Sequence, residues 1–251
     1  MSTSLRGRTA LVTGSTDGIG VAVAETLAAH GAHVVVTGRD TARGEKVAAA
    51  ITGDGGLATF VRADLGDGAT AVRALADAAH AVANGPLDIL VNNAALLIPL
   101  TPTAETTEDL IDRALAVNIK AAFLLTGLVA SAMAGRGRGA IVNMGSISGT
   151  RGAAGGALYS TTKAAMHSLT ASWAAEYGPS GVRVNSVAPG PTVTDKTRAW
   201  MDHLTPILER SPSRRAGTPE EVAEAVLFLA GDAAANIHGA VLPVDGGLAA
   251  V

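Results

Sequence analysis

Seven short apolar runs recur along the chain: TALVTG at 9–14, HVVVTG at 33–38, ATFVRAD at 58–64, DILVNNA at 88–94, GAIVNMGS at 139–146, VRVNSVAPG at 182–190 and AVLPVDGG at 240–247. Most are continuously apolar rather than alternating, the pattern of strands covered on both faces. Between them, alanine-rich stretches repeat apolar positions at helical spacing over 18–30, 41–52, 67–84, 105–134, 157–178 and 218–231. The last begins with a capping residue, a proline at the first helical position and acids in the first turn, Thr218-Pro219-Glu220-Glu221. Strand and helix alternating over the whole length predict an α/β fold on a parallel sheet, with right-handed crossovers and helices on both faces. The glycine-rich pieces GDGG at 53–56 and GRGRG at 135–139 sit between elements and read as turns. No repeat or linker divides the chain, so residues 1–251 read as one domain.

Composition narrows the function classes. The 251 residues are 48% hydrophobic and only 16% charged, below the usual quarter, which favours broad burial that extends to subunit contacts. A net charge of −3 supplies no basic field for nucleic acid or a membrane surface. The absence of cysteine excludes a disulfide framework, a thiolate nucleophile and a zinc–thiolate site. No apolar run reaches membrane-spanning length and MSTSLRGRTALVTG shows no export signal, so a cytoplasmic location without a membrane partner is expected. The histidines at 30, 33, 80, 167, 203 and 238 show no ligand spacing, and no metal is expected. A serine hydrolase needs a G-x-S-x-G elbow, and GSISG at 145–149 lacks that spacing.

Two patterns carry chemistry. TGSTDGIG at 13–20 follows the first strand and opens the first helix. Its glycines let backbone approach a pyrophosphate, and the helix N-terminus offers unpaired N–H groups. In ALYSTTKAAMHSLTASWAAEYG, residues 157–178, Tyr159 and Lys163 stand four apart in a chain with two tyrosines, so they share a helical face. A cation held near the phenol is expected to lower its pKa from about 10, making it able to give or take a proton near neutrality. Ser146 ends the fifth strand and faces the same crevice. His167 continues the Tyr159–Lys163 face and is expected to meet the core or a subunit.

These pieces occur in the order of one family. TGxxxGIG, Asp64 after the third strand, Asn92-Asn93-Ala94 after the fourth, Asn118 in the helix predicted at 105–134, Ser146, Tyr159-x-x-x-Lys163 and Pro189-Gly190 resemble the short-chain dehydrogenase/reductase (SDR) family from Gly7 to Gly247. The resemblance implies a Rossmann-type, doubly wound, seven-stranded parallel sheet of order 3-2-1-4-5-6-7. It also implies an NAD(P)(H)-dependent oxidoreductase interconverting a carbonyl compound and a secondary alcohol by hydride transfer. By the same resemblance Tyr159 is the acid/base and Ser146 orients the substrate oxygen. Lys163 binds the nicotinamide ribose and tunes Tyr159, and Asn118 anchors a proton-relaying water. Gly14, Thr16, Asp17, Gly18, Ile19 and Gly20 form the dinucleotide loop. Asp64 and Leu65 meet the adenine, and Asn92 and Ala94 meet the adenosine ribose. Pro189, Gly190, Thr192 and Thr194 shape the nicotinamide pocket.

At the end of the second strand, Gly38 occupies the position of the acid that marks NAD sites, and Arg39 follows. A guanidinium can pair with a 2′-phosphate, so NADP(H) is favoured over NAD(H). Asp40 and Asp17 weigh against that choice. Substrate contacts are expected from Ser146, Ser148, Leu96, Leu97, Ala154 and Leu158. A lid-like segment at about 191–216 adds Trp200 and Met201, which alternatively pack in a core or subunit contact. The apolar set points to a hydrophobic ketone. Arg151 is a candidate for an anionic substrate or a loop arginine. GRGRG suggests an acyl-carrier-protein docking turn or merely a solvated one, leaving a 3-oxoacyl-carrier-protein-type reductase as an alternative. A catalytically inactive dinucleotide sensor is another. Ala164, Ala165, Met166, Leu169, Ala171, Ala174 and Ala175 leave the predicted helix at 157–178 apolar nearly all round, and a homotetramer is expected.

Overall fold

In the computed structural model, residues 4–251 are described, apart from the side chains of residues 200–203. The elements follow in order β1 (Thr9–Val12), α1 (Gly18–Ala29), β2 (His33–Gly38), α2 (Thr41–Gly53), β3 (Leu57–Arg62), α3 (Ala69–Ala83) and β4 (Ile89–Asn92). Then come α4 (Glu108–Leu115), α5 (Ala121–Arg136), β5 (Gly139–Met144), α6 (Ala157–Tyr177), β6 (Val182–Pro189), α7 (Met201–Leu208), α8 (Pro219–Ala230) and β7 (Val241–Val244). All seven strands form one parallel sheet in the order 3-2-1-4-5-6-7.

Continuous apolarity in the strands has a direct cause. Successive side chains point to opposite faces, and both faces are buried. Ala10, Val12, Val34, Val36, Ile89 and Val91 pack with α1 and α8. Their neighbours Leu11, Val35 and Leu90 pack on the other side with α3, α5 and α6. Local signals start the helices. The Asp40 side chain caps α2 by accepting the Arg43 amide, and Thr218 with Glu221 forms a reciprocal capping box on α8.

Two sequence expectations are corrected here. The stretch 105–134 is not one uniform helix: Thr107 caps α4, and a π turn at Ala116–Lys120 separates it from α5. The π turn carries Asn118 into the interior, where it is buried, and such bulges recur at functional sites. The expectation that no segment reaches membrane-spanning length also fails, because Glu108–Arg136 passes that test by length and composition. Here it packs on α3 and the sheet, with Leu125, Val129 and Met133 in the core.

Candidate active site

The strand ends open onto a cleft of about 440 Å³ that runs from the glycine loop past the ends of β2, β4 and β5 to the segment after β6. This is the crevice that open α/β sheets offer to ligands. At one end, the turn from β1 into α1 must pass close to the end of β4. Gly14 has φ +65°, and a Cβ there would lie 2.8 Å from Ala94 Cα. A Cβ on Gly20 would lie 2.3 Å from the Gly14 carbonyl oxygen. Asn93 holds this crossing by donating from Nδ2 to the Thr13 and Gly14 carbonyls, at 2.8 and 3.1 Å. The α1 cap residue, Asp17, makes no side-chain bond to the first amides of the helix, which leaves them for a ligand anion.

Asp17 instead faces two cations: Lys196 Nζ at 2.8 Å and an Arg43 guanidinium nitrogen at 3.6 Å. Arg43 also donates to Asp40, from its amide at 3.0 Å and from Nε at 2.8 Å. The two acids near the adenosine end are thus engaged by Arg43 and Lys196, whereas exposed Arg39 lines the cleft with no acidic partner among the described residues. Gly38 leaves room for Thr16, whose Oγ1 would sit 2.6 Å from a Cβ at that position. Asp64 Oδ1 accepts the Gly66 amide at 2.9 Å and so shapes the turn after β3.

At the other end, Tyr159, Ser146 and Lys163 converge on the same cleft. Ser146 caps a short 3-10 turn, its Oγ accepting the Ser148 amide at 3.1 Å. The acceptor side is thereby satisfied and the O–H remains to donate. Lys163 is buried and donates to the Met144 carbonyl at 2.8 Å. Burial pushes its pKa down to about 8, so it is still mostly protonated at neutral pH. The expected downward shift of Tyr159 is not found. Burial pushes the phenol above its ordinary value, and the neighbouring Ser146 hydroxyl pulls it only part of the way back. Lys163 Nζ lies 5.7 Å from the ring centroid and gives one of its three protons to Met144.

Of the anticipated residues, Gly14, Thr16, Asp17, Gly18, Ile19, Gly20, Arg39, Asp64, Leu65 and Ala94 line the glycine-loop side. Pro189, Gly190, Thr192, Thr194, Leu96 and Leu97 line the remainder together with Ser146, Tyr159 and Lys163. Asn92 does not line the cleft. Its Nδ2 donates to Thr126 and Asn143 in the interior, and Asn93 holds the loop in its place. Asn118 stands behind the wall, accepting the Leu96 amide at 2.6 Å and donating to Thr162, the residue before Lys163. Ser148, Ala154 and Leu158 lie outside the cleft lining, and the Trp200 and Met201 side chains lie outside the described residues. Arg151 donates to the Val251 carbonyl. In GRGRG, Arg136 is not a solvated cation: it donates to the Pro86 and Leu87 carbonyls and pairs with Asp88 at 3.1 Å. Lys196, Leu204 and Val117 also line the cleft and were not singled out in the sequence. A lysine in a variable loop, or a valine beside Asn118, carries no local signal.

Comparison with known proteins decides the family. The profile described as "Enoyl-(Acyl carrier protein) reductase" matches residues 14–249. A solved "short chain dehydrogenase/reductase family protein" is 45% identical and superposes with a TM-score of 0.91, covering 99% of this chain and 100% of its own. The chain belongs to the short-chain dehydrogenase/reductase family. A cis-4-hydroxycyclohexanecarboxylate dehydrogenase of Sinomonas cyclohexanicum is 41% identical over 100% of both chains. A putative NAD(P)-dependent gluconate 5-dehydrogenase from Beutenbergia cavernae, solved with bound NADP, is 39% identical with a TM-score of 0.93 over 99% of each chain. This SDR protein is an oxidoreductase of alcohol/carbonyl pairs that uses a nicotinamide dinucleotide. Its own residues suit that group: uncapped helix amides and a glycine crossing too tight for any Cβ stand at one end of the cleft, and a Ser–Tyr–Lys set at the other.

Proposed function

We propose that this SDR protein interconverts an apolar ketone and its secondary alcohol, with NADP(H) preferred over NAD(H) and Tyr159 as the proton donor and acceptor. The observation that carries the reading is the convergence of Ser146, Tyr159 and Lys163 on one cleft with the glycine loop. The nicotinamide supplies or accepts the hydride at the carbonyl carbon. The chain's residues position the substrate and move the proton. Ser146 donates its O–H to the substrate oxygen in exchange for its bond to the Tyr159 hydroxyl. Tyr159, protonated at neutral pH because burial raises it, gives its proton to that oxygen as negative charge develops there. The neutral-pH state is therefore set for reduction. Oxidation requires the phenolate, which the positive charge of the oxidised nicotinamide would favour. Lys163 holds the ribose. Asn118, bonded to Thr162 beside Lys163, anchors the path by which the proton is replaced.

Leu96, Leu97 and Leu204 line the substrate side, which supports an apolar ketone. A panel assay following reduced-nicotinamide absorbance should show turnover of cyclic or other apolar ketones above that of polyol-type ketoses. Cofactor binding without turnover of any ketone would favour the sensor alternative. The carrier-protein alternative loses the Arg136 half of its docking turn to structural bonds.

The NADP(H) preference rests on Arg39 having no acid partner among the described residues while Arg43 and Lys196 occupy Asp17 and Asp40. A charge-assisted bond contributes about 1.5–3 kcal/mol. Arg39→Ala should therefore lower kcat/KM for NADPH by roughly 10–100-fold and leave NADH use little changed. An equal loss with both cofactors would contradict the assignment. A homotetramer belongs to the same reading, supported by the exposed apolar side chains of Phe123 on α5 and Phe228 on α8. Light scattering should give the mass of four chains, and a monomer would refute it.

A further inference from the structure

His167 is a half-buried titratable group that the mechanism above does not use. It follows Lys163 by one turn of α6. Both ring nitrogens are buried and neither has a hydrogen-bond partner among the described residues. A residue selected only to fill space would carry no such nitrogens, since an unpaired buried polar group is costly. The ring lies against the backbone of Gly145 and Gly149, the two ends of the turn that holds Ser146. A Cβ on Gly145 would come within 2.3 Å of Nε2, and one on Gly149 within 2.6 Å of Cε1. Neither glycine has a positive φ, so backbone conformation does not demand glycine at either position. The ring does.

We propose that His167 is a positioning residue for Ser146: the neutral imidazole wedges under turn 145–149 and holds the serine at the cleft, and protonation of the ring displaces the turn and switches the enzyme off in acid. This inference rests on the Ser146/Tyr159 reading. The charge environment fits it. On its own helix the ring meets Lys163, the one charged group that acts on it, and that effect opposes a second positive charge. The turn contributes only the hydroxyls of Ser146 and Ser148. From β6 comes Ser186, whose Oγ donates to the Asn143 carbonyl. β5 and the α4–π segment also pack on α6, and none of their acids acts on the ring. An imidazolium would thus gain no counter-ion and no acceptor. Burial, then Lys163, holds the ring's pKa below its ordinary value of about 6.5, so the neutral, competent form prevails at neutral pH and is lost as pH falls through that lowered value.

The test is the acid side of the kcat profile for ketone reduction, a direction in which Tyr159 must be protonated and contributes no acid limb of its own. Wild type should lose activity about tenfold per pH unit below the ring's pKa. His167→Asn and His167→Gln, uncharged at every pH, lose the wedge and should lower kcat by a factor that stays constant with pH, showing no such fall. A second pair tests the wedge itself. Gly149→Ala should lower kcat at least about tenfold, and adding His167→Ala should restore part of that loss, the Lys163 backbone at 2.9 Å accounting for the rest. An acid limb identical in wild type and His167→Asn, or no coupling between positions 149 and 167, overturns the proposal. Absence of wild-type turnover with any ketone overturns the underlying functional reading, and this inference with it.

Discussion

Tyr159→Phe should bind the dinucleotide with wild-type affinity and lose turnover by at least ~10²-fold, the scale of a lost general acid. The substitution removes one oxygen from a side chain that is raised by burial and partly offset by Ser146, and it leaves the ring in place beside Lys163. Lys163 keeps its bond to the Met144 carbonyl, and the glycine loop, remote in the cleft, is untouched. The loss should therefore fall on kcat rather than on cofactor binding. A variant that turned over within a few-fold of wild type would remove the phenol from the chemistry.

The second large effect is expected at the opposite end of the cleft. Gly20→Ala places a methyl 2.3 Å from the Gly14 carbonyl oxygen and 2.6 Å from Asn93 Nδ2. The carbonyl cannot withdraw cheaply, because Asn93 bonds both it and the Thr13 carbonyl, and Gly14 is itself pressed against Ala94. Overpacking of this kind costs about 1–3 kcal/mol. Relief by shifting the loop would misdirect the first amides of α1. We expect a lower melting temperature and at least tenfold weaker dinucleotide binding, a change of roughly 1.4 kcal/mol. Calorimetric titration of the folded variant measures the second effect apart from the first, and wild-type affinity would show that the loop is not the dinucleotide site.

What was legible in the sequence was legible for local reasons. The apolar runs gave the strands because both sheet faces are covered. The glycine loop showed itself because its crossing excludes side chains, and Tyr159 met Lys163 because one helical turn separates them. What was hidden depended on three-dimensional neighbours. Nothing in ALAVNIKAAFLL announces that Asn118 sits in a π turn. Asn92 and Asn93 are adjacent in the chain, and only the direction of each side chain sends one into the β4–β5 interior and the other to the glycine loop. Spacing correctly put a cation beside the phenol, but the sign of the Tyr159 shift followed burial, which spacing does not report. Asp17 read as an obstacle to NADP(H) until Lys196, distant in sequence, was found 2.8 Å away.

The most direct measurement is the pH dependence of kcat from neutral to alkaline conditions, taken in both reaction directions on wild type and on Tyr159→Phe. If the phenol moves the proton, wild-type ketone reduction falls at high pH as the donor is lost, alcohol oxidation rises over the same interval as the acceptor forms, and neither limb survives in the phenylalanine variant. Limbs of the same sign in both directions, or limbs that persist without the hydroxyl, would contradict it.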